Sequence, residues 1–496
     1  RDSSATRVGQ NGLIQTVGYF GNDIVLNGDF SNGSTNWALN SNWSVANNKA
    51  TADGTSNSIM FQSNVLQDNT LYLVSYTLSN FTQGSININL SGVSGVTRTT
   101  NGTYTEYLTS GASPSGRLDI QGSGSFIVSI TNISVKEVTG DQPRLNYDIS
   151  NGVVQSCPSL LLEPASTNLV TYSEDFSQSA WLKTRATITT NQITSPDGTL
   201  SASFQAETTD NNSHFIFFNS TTSVASYTFS VFVKYKNRQY MQFIKGGGAS
   251  GYANFDILNG TTANFGGAYT STKIENYGNG WYRCSGTFTG ASEAMNFGVC
   301  NILTNVSSRF ENYTGDVNSG FYIYGAQFEA LSYATSYIPT LSGAIQTRAA
   351  ETCLKTGLTN YIGQTEGVMY FQTNNLFPSG TRSIALAYTS LSAYYQIYFS
   401  STNQIRIDVN GSLLVITSAI NLNILNKIAF AYKSGDNALY INGVLIASSG
   451  NVTVPSSLND FYLGNSLGNE QSGSYQDFRL YKTRLTDAQL QTLTTL

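Results

Sequence analysis

Charge is what this chain of 496 residues has least of: Asp, Glu, Lys and Arg together supply 11%, against roughly 25% in an average soluble protein. The 25 basic residues are spread thinly and the net charge is −5, so no phosphate-neutralising patch exists and nucleic-acid binding is excluded. Histidine is reduced to His214, and Cys157, Cys284, Cys300 and Cys353 show no Cys-x-x-Cys spacing, which leaves zinc without a ligand set. These thiols are far apart, unlike the dense framework of a small disulfide scaffold, and are read as free. The most apolar long stretch, Ser412 to Tyr432, is broken by Ser418, Asn421, Asn423, Asn426 and Lys427. It falls short of the ~20 apolar residues a membrane span needs. The chain begins at Arg1 without a charged-then-apolar leader, which reads as a processed chain or part of a longer one. Sequons such as Asn42-Trp43-Ser44, Asn132-Ile133-Ser134 and Asn451-Val452-Thr453 follow from the composition and do not indicate secretion.

What is present is glycine, at 45 positions, aromatic residues at 12%, and a surface left to Ser, Thr, Asn and Gln. The length exceeds one ordinary core, since domains run about 100–200 residues, and three is the natural division. Period-two alternation dominates, as half-buried antiparallel strands require. It is clear in Tyr227-Thr228-Phe229-Ser230-Val231 and in Ile405-Arg406-Ile407-Asp408-Val409. Asn410-Gly411 and Asn442-Gly443 each join two such runs and supply the positive-φ residues of tight hairpin turns. Only the C-terminus predicts a helix: Thr486 caps it, Gln489 completes a capping box, and Leu485 and Leu490 offer contacts to a sheet.

Two segments read as diverged copies of one unit. Asp29-Phe30-Ser31 is followed by Trp37, and Asp175-Phe176-Ser177 by Trp181. Each copy closes with a regular strand, Phe126 to Val135 and Phe321 to Phe328, and each predicts a β-sandwich. The last 145 residues or so lack that opening and form a third, different sandwich, ending in the strand Asp477-Phe478-Arg479-Leu480-Tyr481.

The opening Arg1-Asp2-Ser3-Ser4-Ala5-Thr6-Arg7-Val8 with Asn11-Gly12-Leu13-Ile14 resembles a family of bacteriophage virion structural and fibre proteins. So do Pro143-Arg144-Leu145-Asn146-Tyr147, Cys157-Pro158-Ser159-Leu160-Leu161-Leu162-Glu163-Pro164, Gly280-Trp281-Tyr282-Arg283-Cys284 and Ser336-Tyr337-Ile338-Pro339-Thr340. In that family the opening runs almost directly into the Pro-Arg-Leu segment, so the intervening residues imply an inserted domain. The family's basic residue before Thr167 is Ser166 here. The insertion resembles carbohydrate-binding-module-like jelly rolls through Asn27-Gly28-Asp29-Phe30 and Ile133-Ser134-Val135-Lys136-Glu137. Residues 351–496 resemble a laminin-G or concanavalin-like lectin sandwich through Ala438-Leu439-Tyr440-Ile441-Asn442-Gly443.

The expected fold is all-β, with three tandem sandwiches. Residues 1–20 belong with the second, 21–139 form the inserted jelly roll, 140–350 the second sandwich and 351–496 the lectin-like one. Trp43 and Trp37, amid Asn and Ser, are candidates to stack on a sugar ring, against a reading in which both fill the core. Alternation sends one of Tyr394 and Tyr395 outward beside Tyr398, so either is a second candidate. With 30 Tyr and 26 Phe, some aromatic surface is expected to be covered by partner chains, a homotrimer first. The jelly-roll resemblance leaves room for a structural calcium ion near Asp29 and Asn27, but two side chains are not a shell, and no metal or other cofactor is assigned. Neither Glu163 with Asp175 nor Asp408 with Asp436 is marked as a catalytic pair, and His214 lacks a nucleophile elbow. The chain therefore reads as a binding protein and not an enzyme. The resemblance implies a virion component assembled in the bacterial cytoplasm. The leading expectation is a tail-fibre or appendage adhesin for host surface polysaccharide; the alternative is a head fibre, capsid decoration or tail-assembly protein that binds other virion proteins.

Overall fold

Alternation becomes antiparallel sheet almost throughout, and the helix Asp487–Thr494 stands alone among the described residues. The computed structural model describes the chain apart from residues 1–4, 18–19, 55–57, 114, 139–143, 247, 292–293, 342, 375–381, 391–392, 400–403, 411, 422–423, 450–454, 456 and 465–472. The first four residues of the opening, Pro143, Gly411, Asn423 and the Asn451 sequon lie outside the described residues, as do the side chains of Tyr398 and of residues 413–416. Two compact units form: Gly18–Gln142, and Asp2–Val17 together with Pro143–Leu496.

The first unit is built on two long strands, Leu71–Leu90 and Leu118–Val138. Each serves two sheets. Leu71 to Leu78 pairs with Gly102–Thr109 and with the end of Leu118–Val138, whereas residues 85–90 pair with residues 118–123, which Ser58–Gln62 also joins. The bend falls at a register shift between Ser123 and Ile127, with Gly84 and Gly124 at positive φ. Gly122 has no tolerable substitute, because an added Cβ would lie 2.0 Å from the Phe126 ring. Between the sheets lie Phe126, Tyr72, Tyr76, Ile88 and Ile120.

The repeated opening folds alike in both units. Ile24 N donates to Val135 O (3.0 Å) and Leu169 N to Phe328 O (2.8 Å), tying each opening to its closing strand. Trp37 Nε1 donates to Asn27 O and Trp181 Nε1 to Tyr172 O, both at 3.1 Å. Phe30 packs on Trp37 with ring centroids 5.4 Å apart, and Phe176 on Trp181 at 4.8 Å. Asp29 and Asp175 each accept from the backbone N–H and hydroxyl of the serine two residues on.

In the second unit, two six-stranded sheets face each other across Phe176, Trp181, Phe218, Phe297 and Phe328. The polar positions of Ser226–Tyr235 do not meet solvent as alternation predicts; Thr228 and Ser230 are buried. The cause is the segment from Leu331 to Arg348, which crosses that face: Thr228 Oγ1 donates to Leu331 O (2.9 Å), and Arg283, paired through Ser230, donates to Thr335 O (2.7 Å). The C-terminal strands form a seven-stranded and a six-stranded sheet around Met369, Phe371, Ile397, Ile407 and Phe430. Leu145–Asn146 and Ser159–Leu162, which lie in the expected middle sandwich by sequence, pair instead into the C-terminal one: Leu160 faces Tyr475, and Leu162 enters that core. The Asn442-Gly443 hairpin forms as read, with φ of 50° and 81°. Thr486 accepts from Gln489 N, Gln489 accepts from Thr486 N, and Leu490 is buried against Tyr370, Ala429 and Tyr440. All four cysteines are free.

One ionic cluster pins this unit together. Arg144 Nη2 donates to Glu163 Oε2 (2.7 Å) and to the Glu351 carboxylate, while its Nη1 donates to Thr6 O (2.9 Å) and Ser336 Oγ (2.6 Å). Arg348 Nη1 stands 3.0 Å from Glu163 Oε2. Burial alone would raise the Glu163 carboxyl, but Arg348, Arg144 and two bonds from Ser336 outweigh it and hold its pKa at about 2. Ser166, where the resembled family has a basic residue, donates to buried Glu329 (2.6 Å).

Candidate functional site

The four aromatic residues proposed to meet a sugar are inside cores. Trp37 and Trp43 are 6% and 5% exposed, and Tyr394 and Tyr395 8% and 1%. A covered ring has no face to offer, so these positions are corrected to packing roles. Trp43 packs on Phe126 (5.6 Å), and Tyr395 on Tyr432 (4.6 Å). Adjacent Tyr394 and Tyr395 are both buried, so alternation turns neither outward. Trp281 is likewise core, its Nε1 donating to Thr194 O (3.1 Å). The aromatic surplus is largely absorbed in this way; among the described residues the well-exposed aromatics are Tyr107, Phe265 and Tyr361. Trp37 Nε1 has its acceptor, whereas Trp43 Nε1 is buried without one. Trp37→Phe is therefore expected to cost about 1–3 kcal/mol more than Trp43→Phe, read as the difference in urea midpoints of the first unit.

The expected calcium oxygens are also engaged: Asn27 Oδ1 accepts from Asn32 N (3.1 Å), and Asp29 Oδ1 from Ser31 N and Ser31 Oγ. Of the carboxylate pairs considered, Glu163 is held by arginines and Asp175 by Ser177 and Gln178. Sequence did not single out Glu174, whose Oε1 lies 3.0 Å from Tyr324 Oη, itself 3.0 Å from Asp197 Oδ2. One phenol proton serves two carboxylates. Burial raises the Glu174 pKa, the two tyrosine hydroxyls oppose this, and the Asp197 charge adds to it. With a raised folded-state pKa, the protonated form stabilises the fold below the ordinary glutamate pKa, and that contribution fades as pH rises through the raised value. Glu174→Gln is thus expected to raise the melting temperature at about pH 8 and to leave it unchanged near pH 4.

Two amides that make no bond within the protein meet instead on the outer face of the first unit. Ile59, Gln121 and Asn87 form one row across three strands, flanked by a second row of Phe61, Asp119 and Asn89, and by Ser123 beside Ser85. Strand spacing makes this row about 10 Å wide. The row is outward because Met60, Ile120 and Ile88, one residue along each strand, take the core. A depression of about 530 Å³ lies over it, with Asn40, Thr97 and Ser123 around Asn87 and Gln121, and no charged side chain in its lining. The amides of Asn87 and Gln121 make no bond within the protein among the described residues, so their donors and acceptors are available. Beside them Arg117 lies over the Phe61 ring (4.4 Å) and is paired with Asp119 (2.6 Å). Such a face can offer hydrogen bonds and apolar contact to a neutral hydroxyl-bearing molecule. Two amides on two strands carry no sequence motif, and only the cross-strand register brings them together.

Residues 370–491 match the family described as the Concanavalin A-like lectin/glucanases superfamily. No curated protein matches. Among solved structures, the chain is similar to the Ruminococcus gnavus IT-sialidase CBM40 bound to alpha2,3 sialyllactose, at 14% identity over 27% of this chain and 84% of that one, with a TM-score of 0.24. It is also similar to the CBM22-1-CBM22-2 tandem domain of Paenibacillus barcinonensis Xyn10C, at 10% identity over 63% and 98%, with a TM-score of 0.24. A third is a putative carbohydrate binding protein from Bacteroides ovatus, at 11% identity over 57% and 80%, with a TM-score of 0.23.

Proposed function

We propose that this chain is a glycan-binding adhesin of a bacteriophage particle, a tail fibre or other appendage that holds neutral polysaccharide of the host surface through the row Ile59, Gln121 and Asn87. The observation that carries the binding reading is an uncharged depression whose amides are unengaged, in a chain that also contains a lectin-superfamily match. The virion assignment rests on the resemblance of the opening and of the Pro-Arg-Leu and Cys-Pro-Ser-Leu-Leu-Leu-Glu-Pro segments. Many weak copies on one particle, as a trimer within the virion assembled in the bacterial cytoplasm, add up to firm attachment. A glycan array probed with the full chain is expected to retain neutral bacterial glycans, and the Asn87→Ala/Gln121→Ala variant to lose them; an array empty of neutral glycans defeats the proposal.

A second reading has its own observation. Val444, Leu445 and Ile446 are exposed in succession on a strand at the edge of the C-terminal sheet, as a head fibre or capsid decoration docking on another virion protein would present. A particle reconstruction showing these residues buried against capsid protein selects it.

A further inference from the structure

The row Ile59, Gln121 and Asn87 does not end at its three strands. Asn40 N donates to Ile59 O (3.2 Å), which sets Asn40 opposite Ile59. Ile86 and Arg98 exchange both backbone bonds (3.0 and 2.8 Å), which sets Thr97 opposite Asn87. One line of side chains, Asn40, Ile59, Gln121, Asn87 and Thr97, therefore crosses five adjoining segments, and all five line the same depression. Their neighbours at the two ends turn the other way: Leu39 packs on the core of this unit, and Arg98 lies over the Tyr104 ring at 4.5 Å. None of the five is buried, and Asn40 and Thr97 are exposed. Among the described residues, the four polar side chains of the line make no hydrogen bond within the protein.

Neighbouring backbones of a sheet lie about 4.8 Å apart, so the line is about 19 Å from end to end. A single pyranose seated on Gln121 and Asn87 would cover a fraction of it and leave Asn40 and Thr97 facing water. The depression of about 530 Å³ likewise has the capacity of sites that hold ligands of several rings. Successive positions are separated by close to the advance per residue of an unbranched β-1,4-linked glycan, so such a chain laid across the strands meets a new side chain at each step. A coiled or branched glycan departs from the line after one or two residues. Ile59, inside the line, gives one ring an apolar contact, while the amides and the Thr97 hydroxyl take the outer hydroxyls.

Resting on the neutral-glycan reading above, we infer that this site takes an extended, unbranched, β-linked chain of about four residues lying across the strands, with Asn40 and Thr97 as its two end contacts. Isothermal titration of the full chain with cello-oligosaccharides of two to six residues tests the inference, with maltotetraose, whose α-linked chain coils, as the contrast. Affinity is expected to rise from cellobiose to cellotetraose and to stay level to cellohexaose, and maltotetraose should bind no better than cellobiose. Asn40→Ala and Thr97→Ala are each expected to weaken cellotetraose about three- to tenfold, the weight of one neutral hydrogen bond. Both should leave cellobiose unchanged, because a disaccharide still fits over the rest of the line, and a circular-dichroism melt equal to wild type establishes that each variant is folded. Equal affinity for cellobiose and cellotetraose, tighter binding of maltotetraose, or cellotetraose unaffected by both end variants would overturn the inference and leave a neutral site standing. No heat with either series, while the glycan array retains other neutral glycans, would overturn it as well; an array empty of neutral glycans would remove the parent reading with it.

Discussion

Glu163→Gln is expected to destabilise the second unit by about 3–5 kcal/mol, because it leaves Arg144 and Arg348 buried with their shared carboxylate gone. The amide can still accept from Ser336 N and one arginine, but it cannot balance two positive charges. Glu163 receives Ser336 N (2.8 Å) and Ser336 Oγ (2.5 Å), and its own N–H donates to Glu351 Oε2 (3.0 Å). The cluster therefore ties the N-terminal strand, the segment before Pro164, the crossing segment at Ser336 and the start of the C-terminal sheets. Urea unfolding at about pH 7 measures the loss. The same group sets an acid limit. Its folded-state pKa, about 2, lies below the ordinary glutamate value, so its contribution is complete above roughly pH 4.5 and is lost as pH falls toward 2. Wild type should lose more stability across that window than Glu163→Gln; equal losses would show that the carboxylate does not stabilise the fold.

Trp181→Ala and Trp37→Ala should each cost about 3–5 kcal/mol, but in different units. Trp181 contacts Phe176 and Phe218, with ring centroids 4.8 and 5.2 Å away, and anchors the core that includes Phe229 and Phe328. Trp37 belongs to the core that includes Phe126 and Ile120. These cores share no residue. Scanning calorimetry should show the transition of the first unit falling in Trp37→Ala while the other holds, and the reverse in Trp181→Ala. Joint movement of both transitions in either variant would contradict separate cores.

The strands, the Asn442-Gly443 turn and the helix cap were legible because each depends on residues close in sequence: the alternation around Phe229, the Asn442-Gly443 pair, and Thr486 with Gln489. The repeated opening was legible too, since Asp175-Phe176-Ser177 repeats Asp29-Phe30-Ser31 and both fold around a tryptophan. The site was not. Trp43 and Tyr395 had the chemistry of sugar contacts, but residue type does not say which face of a strand is covered. For Thr228 and Ser230 it misleads outright, because the segment over them returns from a hundred residues downstream. Gln121 and Asn87 are ordinary amides until antiparallel pairing puts them side by side, and Arg144 and Glu163 reveal nothing of their partner Glu351.

The central claim is that the row Ile59, Gln121 and Asn87 holds a neutral sugar without chemistry. A crystal of the full chain soaked with a neutral glycan retained on the array tests it most directly. The account predicts an intact saccharide over that row, with hydroxyls on the Gln121 and Asn87 amides. A saccharide seated elsewhere on the first unit, or one found cleaved, would contradict it.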